Sequence, residues 1–414
     1  MRAQEATGET VSVDSAAAIR EALQRPPPKP PADAVNVVEF PFKIGLFPAK
    51  LAVQSAAGLA GLVTLPTPPL PVRLVRGLSQ WGLTPRIRSI GPRSGAAIDL
   101  VLHRFDPLFF ESGYSIRGST LHRVGIAIGD PADRTGLFVA YSFRRDAQGN
   151  FWGIGKDSRE EDRSDFRREK KEAVTRGWLA LGPVKGLLGI GIENNRVDGG
   201  NDGSLPDLQA TFALDPPFGS IGRTKFVRFE LSSALGSVRR IGFRHTGILL
   251  SGGTEIFRGI DGTDSDFHRF NGEFRGYLPV SSSQTLAVRA IGALNVADGG
   301  SGIPFFHLVR LGGSGNGPRS FSSGRFRDKF GLSIQSEWRY GIWENISGRS
   351  RVEAFLIFDE GAVARSIDAF SVSDLRSSYG FGLRVAKHRG LAAGAYVVFG
   401  AEGSQIVAKS VWSF

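Results

Sequence analysis

The sequence predicts an all-β fold, an antiparallel β-barrel that crosses a membrane, and three observations lead to this prediction. From about Gly95 onward, long segments alternate between apolar and polar residues. Glycine accounts for 54 and phenylalanine for 30 of the 414 residues, and glycine permits tight turns while aromatic side chains are typical of the lipid-facing band. The last residues, Ser410 to Phe414, alternate as a strand that carries aromatic side chains.

The alternation also predicts which side chains point into the barrel. In the segment 330–342 the even positions are mostly large and apolar, whereas Glu337 and Arg339 lie on the polar face. In the segment 349–359 the polar face carries Glu353 and Asp359. A soluble β-sandwich also alternates. These segments run for roughly ten to fourteen residues, however, against about five or six in soluble strands, and a water-filled lumen accommodates large charged residues.

Composition and motifs exclude several other classes. No uncharged apolar stretch reaches the roughly 20 residues that a transmembrane helix needs. The chain has no cysteine, which excludes disulfides and zinc–thiolate sites. A net charge of +11 raises nucleic acid as a partner, but the arginines are scattered, so we expect none. The six histidines are isolated and no nucleophile motif appears. We therefore expect neither an enzyme nor a metal or cofactor site.

The first part of the chain differs from the rest. Residues 1–36 read as a short helix followed by a proline-rich linker, and residues 37–93 as an apolar, helical segment on the periplasmic side. The stretch 42–83 is expected to cap or partly plug the barrel mouth, or else to bind another protein. No secretion signal is visible in the sequence, so an exported chain would have lost it. Residues 94–414 are expected to form the barrel.

An ordered series of short motifs lies between residues 303 and 361. The motifs are Ile303-Pro-Phe-Phe306, Leu311-Gly-Gly313, Pro318-Arg-Ser-Phe321, Gly324-Arg-Phe-Arg-Asp-Lys329, Ser336-Glu-Trp-Arg-Tyr340 and Phe358-Asp-Glu-Gly361. In this order the chain resembles the Omp85 superfamily, the surface-antigen D15-type barrels that include the BamA/TamA group and two-partner secretion transporters. The segment 151–158 and the terminal Trp412 and Phe414, which match a C-terminal barrel signal, resemble the BamA/TamA group. The resemblance implies sixteen strands, where our own count gives about fourteen to sixteen, and the bacterial outer membrane.

The resemblance also assigns roles to residues. In the family, the sixth extracellular loop folds into the barrel, and its Arg-Gly-aromatic tip meets acids on the lumen wall. Arg319 and Phe321 match the tip, with Ser320 where the family has glycine. The strand motifs are matched by Glu337 with Arg339 and by Asp359 with Gly361. The implied site residues of the loop and of the wall are Arg319, Phe321, Arg325, Arg327, Asp328 and Glu337, Arg339, Glu353, Asp359, Gly361.

From this resemblance and the strand parity we expect the cations of the loop, Arg319, Arg325, Arg327 and Lys329, to pair with Glu337, Glu353 and Asp359. A second interpretation of Arg325 and Arg327 is that they are solvated loop charges or contact anionic lipid. We recognise no periplasmic POTRA module in the sequence, although family insertases carry such modules.

Two functions therefore stay open. One is assembly or export of outer-membrane proteins with a separate periplasmic partner, and the other is a structural or small-solute pore. The expected partners are outer-membrane lipids including lipopolysaccharide, periplasmic or outer-membrane proteins, and the BAM machinery for the chain's own insertion.

Overall fold

The computed structural model describes residues 82–409, except for 92, 106, 130–132, 201–202, 242, 263, 346–349 and 388–392. The predictions for the linker, for the plug-like segment up to Trp81, and for Trp412 and Phe414 lie outside the described residues. Within the described ranges, no helix is both long and apolar enough to cross a bilayer.

The described part of the chain is built almost entirely from strands. In order they are β1 (Leu83–Arg88), β2 (Ala97–Phe105), β3 (Leu108–Ser115), β4 (Thr120–Ile128), β5 (Thr135–Phe151), β6 (Ser164–Leu181), β7 (Val184–Gly199), β8 (Gly222–Ile241), β9 (Arg244–Gly259), β10 (Phe267–Pro279), β11 (Gln284–Ala297), β12 (Val309–Leu311), β13 (Phe326–Asp328), β14 (Phe330–Glu344), β15 (Ser350–Ala364), β16 (Arg376–Lys387), β17 (Ala393–Gly400) and β18 (Gly403–Lys409). Within the described ranges, two one-turn helices, α1 (Leu208–Thr211) and α2 (Gly313–Asn316), and a 3-10 turn (Val372–Asp374) complete the elements.

Sixteen of these strands form one antiparallel sheet, which confirms the predicted fold class and strand number. Each strand pairs with the next along the chain, except that β11 pairs with β14, while β12 and β13 form a separate hairpin within that connection. The order runs from β1 to β18, and between the described residues these two end strands are not hydrogen-bonded to each other. Closure into a cylinder, which the sequence led us to expect, is therefore not made by the described residues.

The sheet begins earlier than predicted. Strand β1 lies inside the segment 37–93 that was expected to be helical, and it pairs with β2 from Leu83 opposite Leu102 to Arg88 opposite Ala97. Pro85 disfavours a central strand because proline has no N–H to donate, but it is tolerated in a strand at the edge of a sheet. Because β1 lies at the edge of the sheet, it can contain Pro85. Because β1 belongs to the sheet, the sheet begins at Leu83 and the boundary predicted at residue 94 was wrong.

The connections are long at one end of the sheet and short at the other. Clusters of aspartate, glycine and serine at 145–165 and 198–204 predict two of the loops. The first is shorter than this prediction, because β5 continues to Phe151 and the connection covers only 152–163. The polar stretch Arg145 to Asn150 suggested a loop, but a strand that faces a polar lumen can carry such residues. The connection after β7 is longer than the predicted loop 198–204, since it covers 200–221 and includes α1.

The two faces of the sheet differ as the alternation predicts. On the outer face, large apolar side chains from strands far apart in the sheet are exposed, among them Ile190, Leu231, Phe229 and Phe358, each between 46 and 53 %. The inward positions of β14 and β15 carry buried polar residues. A soluble monomer does not expose apolar surface on this scale, so the outer face is suited to lipid.

Candidate functional site: a loop anchored inside the sheet

The connection from β11 to β14, residues 298–329, is called here the lumen loop. It contacts inward side chains of strands from both halves of the sheet, from β5 near one end to β16 near the other. Its buried residues include Phe305, Arg319 and Phe321. The loop is therefore an internal element of the fold.

Arg319 forms the centre of the contact between the lumen loop and the wall. Its Nη1 donates to Glu337 Oε1 at 2.5 Å, its Nε lies 3.2 Å from Asp359 Oδ2, and its backbone N–H donates to the same Asp359 oxygen at 3.1 Å. All three side chains are at most 4 % exposed. Glu337 also forms a salt bridge with Arg339, whose Nη2 lies 2.8 Å from Glu337 Oε2. The centroid of the Tyr396 ring lies 5.9 Å from the Arg319 guanidinium. Arg319, Glu337 and Asp359 together are called the Arg319 clamp.

Ser320 occupies the tip position where the resembling family has glycine. Its backbone N–H donates to the Ser378 hydroxyl at 3.0 Å, and the two hydroxyls are hydrogen-bonded at 2.5 Å. Its φ is not in the left-handed region, since Arg93 is the one non-glycine residue with positive φ in the described part. The serine fits because the facing wall position is Gly400, where a Cβ would overlap the Ser320 side chain.

This fit predicts a compensating pair of substitutions. Gly400→Ala should weaken the docking of the loop tip by about 1–3 kcal/mol, because overpacking forces neighbours to shift. Adding Ser320→Gly should restore most of the loss, since it removes the Oγ and Cβ that the new methyl group meets. The measurement is the rate at which added protease cleaves the lumen loop in the folded protein. A Gly400→Ala variant cleaved at the wild-type rate would contradict the packing described here.

Phe321 and Gly361 lie close to the clamp, and Asp328 lies in β13 of the lumen loop. Phe321 is 2 % exposed and packs against Phe326 with ring centroids 5.2 Å apart, in a cluster with Leu311 and Val363. A Cβ at Gly361 would lie 3.0 Å from Pro318 Cδ, so the glycine lets the loop approach β15 closely. Asp328 is 7 % exposed, and its Oδ1 accepts the backbone N–H of the next residue at 2.7 Å.

The expected pairing of Arg325 was wrong in its partners. Arg325 is 3 % exposed and bonds to Glu402 in the β17–β18 turn at 2.8 Å and to Glu160 in the β5–β6 connection at 3.1 Å. It also donates to the hydroxyl and carbonyl oxygens of Ser158, both at 2.8 Å. The alternative of a solvated or lipid-contacting Arg325 is contradicted as well. Arg325 connects two turns of the wall that are far apart in sequence.

Arg327 and Glu353 also have partners other than those expected. Arg327 is 3 % exposed, so it is not solvated, and its Nη2 donates to the backbone carbonyl of Asn150 at 2.6 Å. Glu353 accepts from Arg384 Nη2 at 2.5 Å and lies 3.5 Å from Arg351 Nε, both on the wall. The alternation along β15 correctly predicted that Glu353 points inward. Its charge is compensated by Arg351 and Arg384 of the sheet, however, and not by an arginine of the lumen loop. The loop therefore meets the predicted acids only through Arg319.

An inward aromatic cluster was missed by the sequence analysis, which assigned the aromatic residues mainly to the lipid face. Phe305 is fully buried and contacts Phe151 and Phe166 edge-to-face with centroids 5.1 and 4.9 Å apart. The same cluster includes Phe226, Phe257, Phe267 and Phe306. The sequence offered one signal for this cluster. Phe305 and Phe306 lie in a predicted loop, outside the alternating strands that would place an aromatic ring on the lipid face. Packing of this kind holds the first half of the lumen loop.

His307 joins the aromatic cluster to a buried acid. Its Nε2 donates to Glu193 Oε1 at 2.6 Å, and its ring lies 4.9 Å from that of Phe257. Burial is the largest influence and lowers the pKa of His307 to about 3, against the opposing effect of Glu193 and with a smaller lowering by Arg269 and Arg168. The docked loop thus holds a neutral imidazole.

Docking of the lumen loop should therefore depend on pH. A released His307 has a pKa near 6.5, so the released state binds more protons, and docking loses free energy as pH falls below about 6.5 toward 3. Between pH 7.5 and pH 5 the loss should reach about 2 kcal/mol. We expect faster protease cleavage of the loop at pH 5, removed by His307→Gln, which keeps a donor for Glu193. His122→Gln on β4 is the control and should keep the wild-type pH response; an unchanged pH response in His307→Gln would contradict the assignment.

Within the described part of the chain, no group of three or more histidine, cysteine or carboxylate side chains could hold a metal ion. The arrangement at the lumen loop is one of ion pairs, hydrogen bonds and aromatic contacts that fix a loop to a wall. Such an arrangement can fix the positions of the strands that the lumen loop contacts, and it presents cationic groups to the lumen.

The chain was compared with protein families, with curated proteins and with solved structures. No family model and no curated protein matches the chain. Among solved structures, BamA from Haemophilus ducreyi lacking POTRA domains 1–3 matches with a TM-score of 0.54 and 12 % identity, covering 81 % of this chain and 76 % of that one. CdiB from Escherichia coli matches with a TM-score of 0.48 and 14 % identity, covering 78 % of this chain and 60 % of that one. The chain therefore shares the fold of the BamA structure.

Proposed function

We propose that this chain is an Omp85-type barrel of the bacterial outer membrane that acts in the assembly or export of outer-membrane proteins. A separate periplasmic partner supplies the capture of unfolded clients. Outer-membrane lipids, lipopolysaccharide among them, surround the apolar outer face, and the BAM machinery inserts the chain itself.

The observation that carries this proposal is the attachment of the lumen loop to the last strands of the sheet. Arg319 binds β14 and β15, Ser320 binds β16, and Arg325 binds Glu402 between β17 and β18. The strand at the end of the sheet, β18, is thus positioned from the lumen side. An edge strand presents a row of backbone N–H and C=O groups with which an added strand can pair, and an assembly barrel needs such an edge in a fixed place.

Depletion of the protein in its native host tests the proposal. Quantitation of the other outer-membrane proteins should show a general loss, restored by the wild-type chain and restored less by Arg319→Ala. Arg145→Ala, which removes an exposed pair with Glu169, should restore the wild-type level and serves as the control. Unchanged amounts of the other outer-membrane proteins after depletion would reject a role in assembly.

A structural or small-solute pore is the second candidate. It is favoured by a cavity of about 570 Å³ next to the lumen loop, lined mainly by polar and cationic side chains such as Arg123 and Lys170. Ion conductance of the purified chain in a planar bilayer, with normal amounts of other outer-membrane proteins after depletion, would favour this function over assembly.

A further inference from the structure

Two arginines face each other in the hairpin of the lumen loop, apart from the Arg319 clamp. Arg310 in β12 and Arg327 in β13 are cross-strand partners in the register of the pair. Like charges directly opposite each other destabilise an antiparallel pair. Arg327 is 3 % exposed and its Nη1 has no hydrogen-bond partner. The hairpin therefore holds two adjacent guanidinium groups, one of them buried with an unused donor.

Both arginines line an internal cavity of about 200 Å³, many times the roughly 10–15 Å³ that holds one water molecule. The charged residues of its lining are Arg93, Arg163, Arg168, Arg310, Arg327 and Asp146. The one carboxylate among them, Asp146, is paired with Arg144 at 2.8 Å. The cavity is therefore strongly cationic.

Three of these arginines have neutral partners or none. Arg168 donates to Asn195 Oδ1 at 2.6 Å and stacks on Phe306 at 4.3 Å, while Arg327 donates to the Asn150 carbonyl. The Arg310 side chain makes no hydrogen bond to any described residue, and none of the three side chains forms a salt bridge with a carboxylate of the described ranges, although Asp146 acts electrostatically on both Arg168 and Arg310. Burial, together with Arg310 and Arg168, lowers the pKa of Arg327. Because a guanidinium stays protonated in proteins, an anion in the cavity is what relieves this repulsion.

Arg93 adds an independent observation. It lines this cavity and also the adjoining 570 Å³ cavity, and its φ of +49° is the one left-handed value of a non-glycine residue among the described positions. Such backbone strain persists where the surroundings impose it and is concentrated at ligand-binding sites. Arg93 thus lies at the junction of the two cavities, and its left-handed backbone is consistent with a ligand-binding site there.

We propose that the 200 Å³ cavity binds a phosphate-type oxyanion, as inorganic phosphate or a small phosphomonoester, through Arg310, Arg327 and Arg168. Several guanidinium groups that form no salt bridge with a described carboxylate match a dianion in charge, and the planar fork of arginine binds two phosphate oxygens at once. The inference stands apart from the proposed function, since an assembly barrel and a pore could each hold such a site.

The test is the thermal unfolding of the purified full chain in detergent, titrated with sodium phosphate against sodium chloride at equal ionic strength. Phosphate should raise the unfolding temperature in a saturable way, and glycerol phosphate should act similarly. Arg310→Gln should weaken the apparent phosphate affinity at least about tenfold, the effect of losing one hydrogen bond to a charged group. The fold should persist in this variant because the Arg310 side chain makes no hydrogen bond to a described residue, and its backbone pairing in the hairpin is unchanged. Arg327→Gln should also weaken binding, and Arg145→Gln, outside the cavity, should leave the affinity unchanged.

The outcomes distinguish the sources of the phosphate group. Stabilisation by inorganic phosphate that Arg310→Gln removes supports a free anion in the lumen. Stabilisation by purified lipopolysaccharide alone, also removed by Arg310→Gln, supports the same site filled by a lipid phosphate. If neither phosphate nor lipopolysaccharide has a saturable effect beyond that of chloride, or if wild type and Arg310→Gln bind the stabilising ligand with equal affinity, the proposal is overturned.

Discussion

Replacing Arg319 by alanine should release the lumen loop from the wall, and we expect this to be one of the two largest effects of a single substitution. The change leaves Asp359, which is fully buried, with backbone N–H groups but no cationic partner, while Glu337 keeps Arg339. Breaking a buried ion pair by removing one partner costs about 3–5 kcal/mol. Added protease should then cleave the loop in intact cells, and ion conductance in a planar bilayer should rise.

Further variants separate the clamp from general damage. Asp359→Ala should reproduce the cleavage, and the double variant should add little, because both substitutions remove one shared interaction. Arg319→Lys should be intermediate, since an ammonium group lacks the planar fork that reaches both acids. Arg145→Ala is the matched control and should behave as wild type. If Arg319→Ala leaves both cleavage and conductance unchanged, the clamp does not hold the loop.

Phe305→Ala should destabilise the folded barrel by a similar amount. Phe305 is fully buried between Phe151, Phe166 and Phe306, and truncating a core phenylalanine to alanine costs about 3–5 kcal/mol. The temperature at which the heat-modifiable, folded form disappears on a gel should fall clearly below that of the wild type.

Phe229→Ala provides the comparison on the outer face, where Phe229 is 46 % exposed. Its effect should be smaller, because lipid fills the space that the ring leaves and no internal cavity forms. Equal shifts for the two variants would show that the inner cluster adds no stability beyond that of the lipid-facing band.

The sequence alone determined that the chain from about Gly95 onward forms long alternating strands, which face of each is polar, and the inward position of Glu337, Glu353 and Asp359. Side chains alternate strictly along a strand, so a polar face can be read without knowing the neighbouring strands. The pairing of Arg319 was expected from the order of motifs together with this parity. Where proline or a polar run interrupts the pattern, as at Pro85 and at the end of β5, the boundaries were misplaced.

Only the tertiary structure decided which partners the loop residues have. A loop has no side-chain period, and its contacts join positions far apart, as between Arg325 and Ser158, 167 residues earlier in the chain. The inward position of Phe305 and the opposition of Arg310 to Arg327 depend on the same long-range folding. The period of a strand is a local property of the backbone, whereas the partner of a buried charge is set by the path of the whole chain.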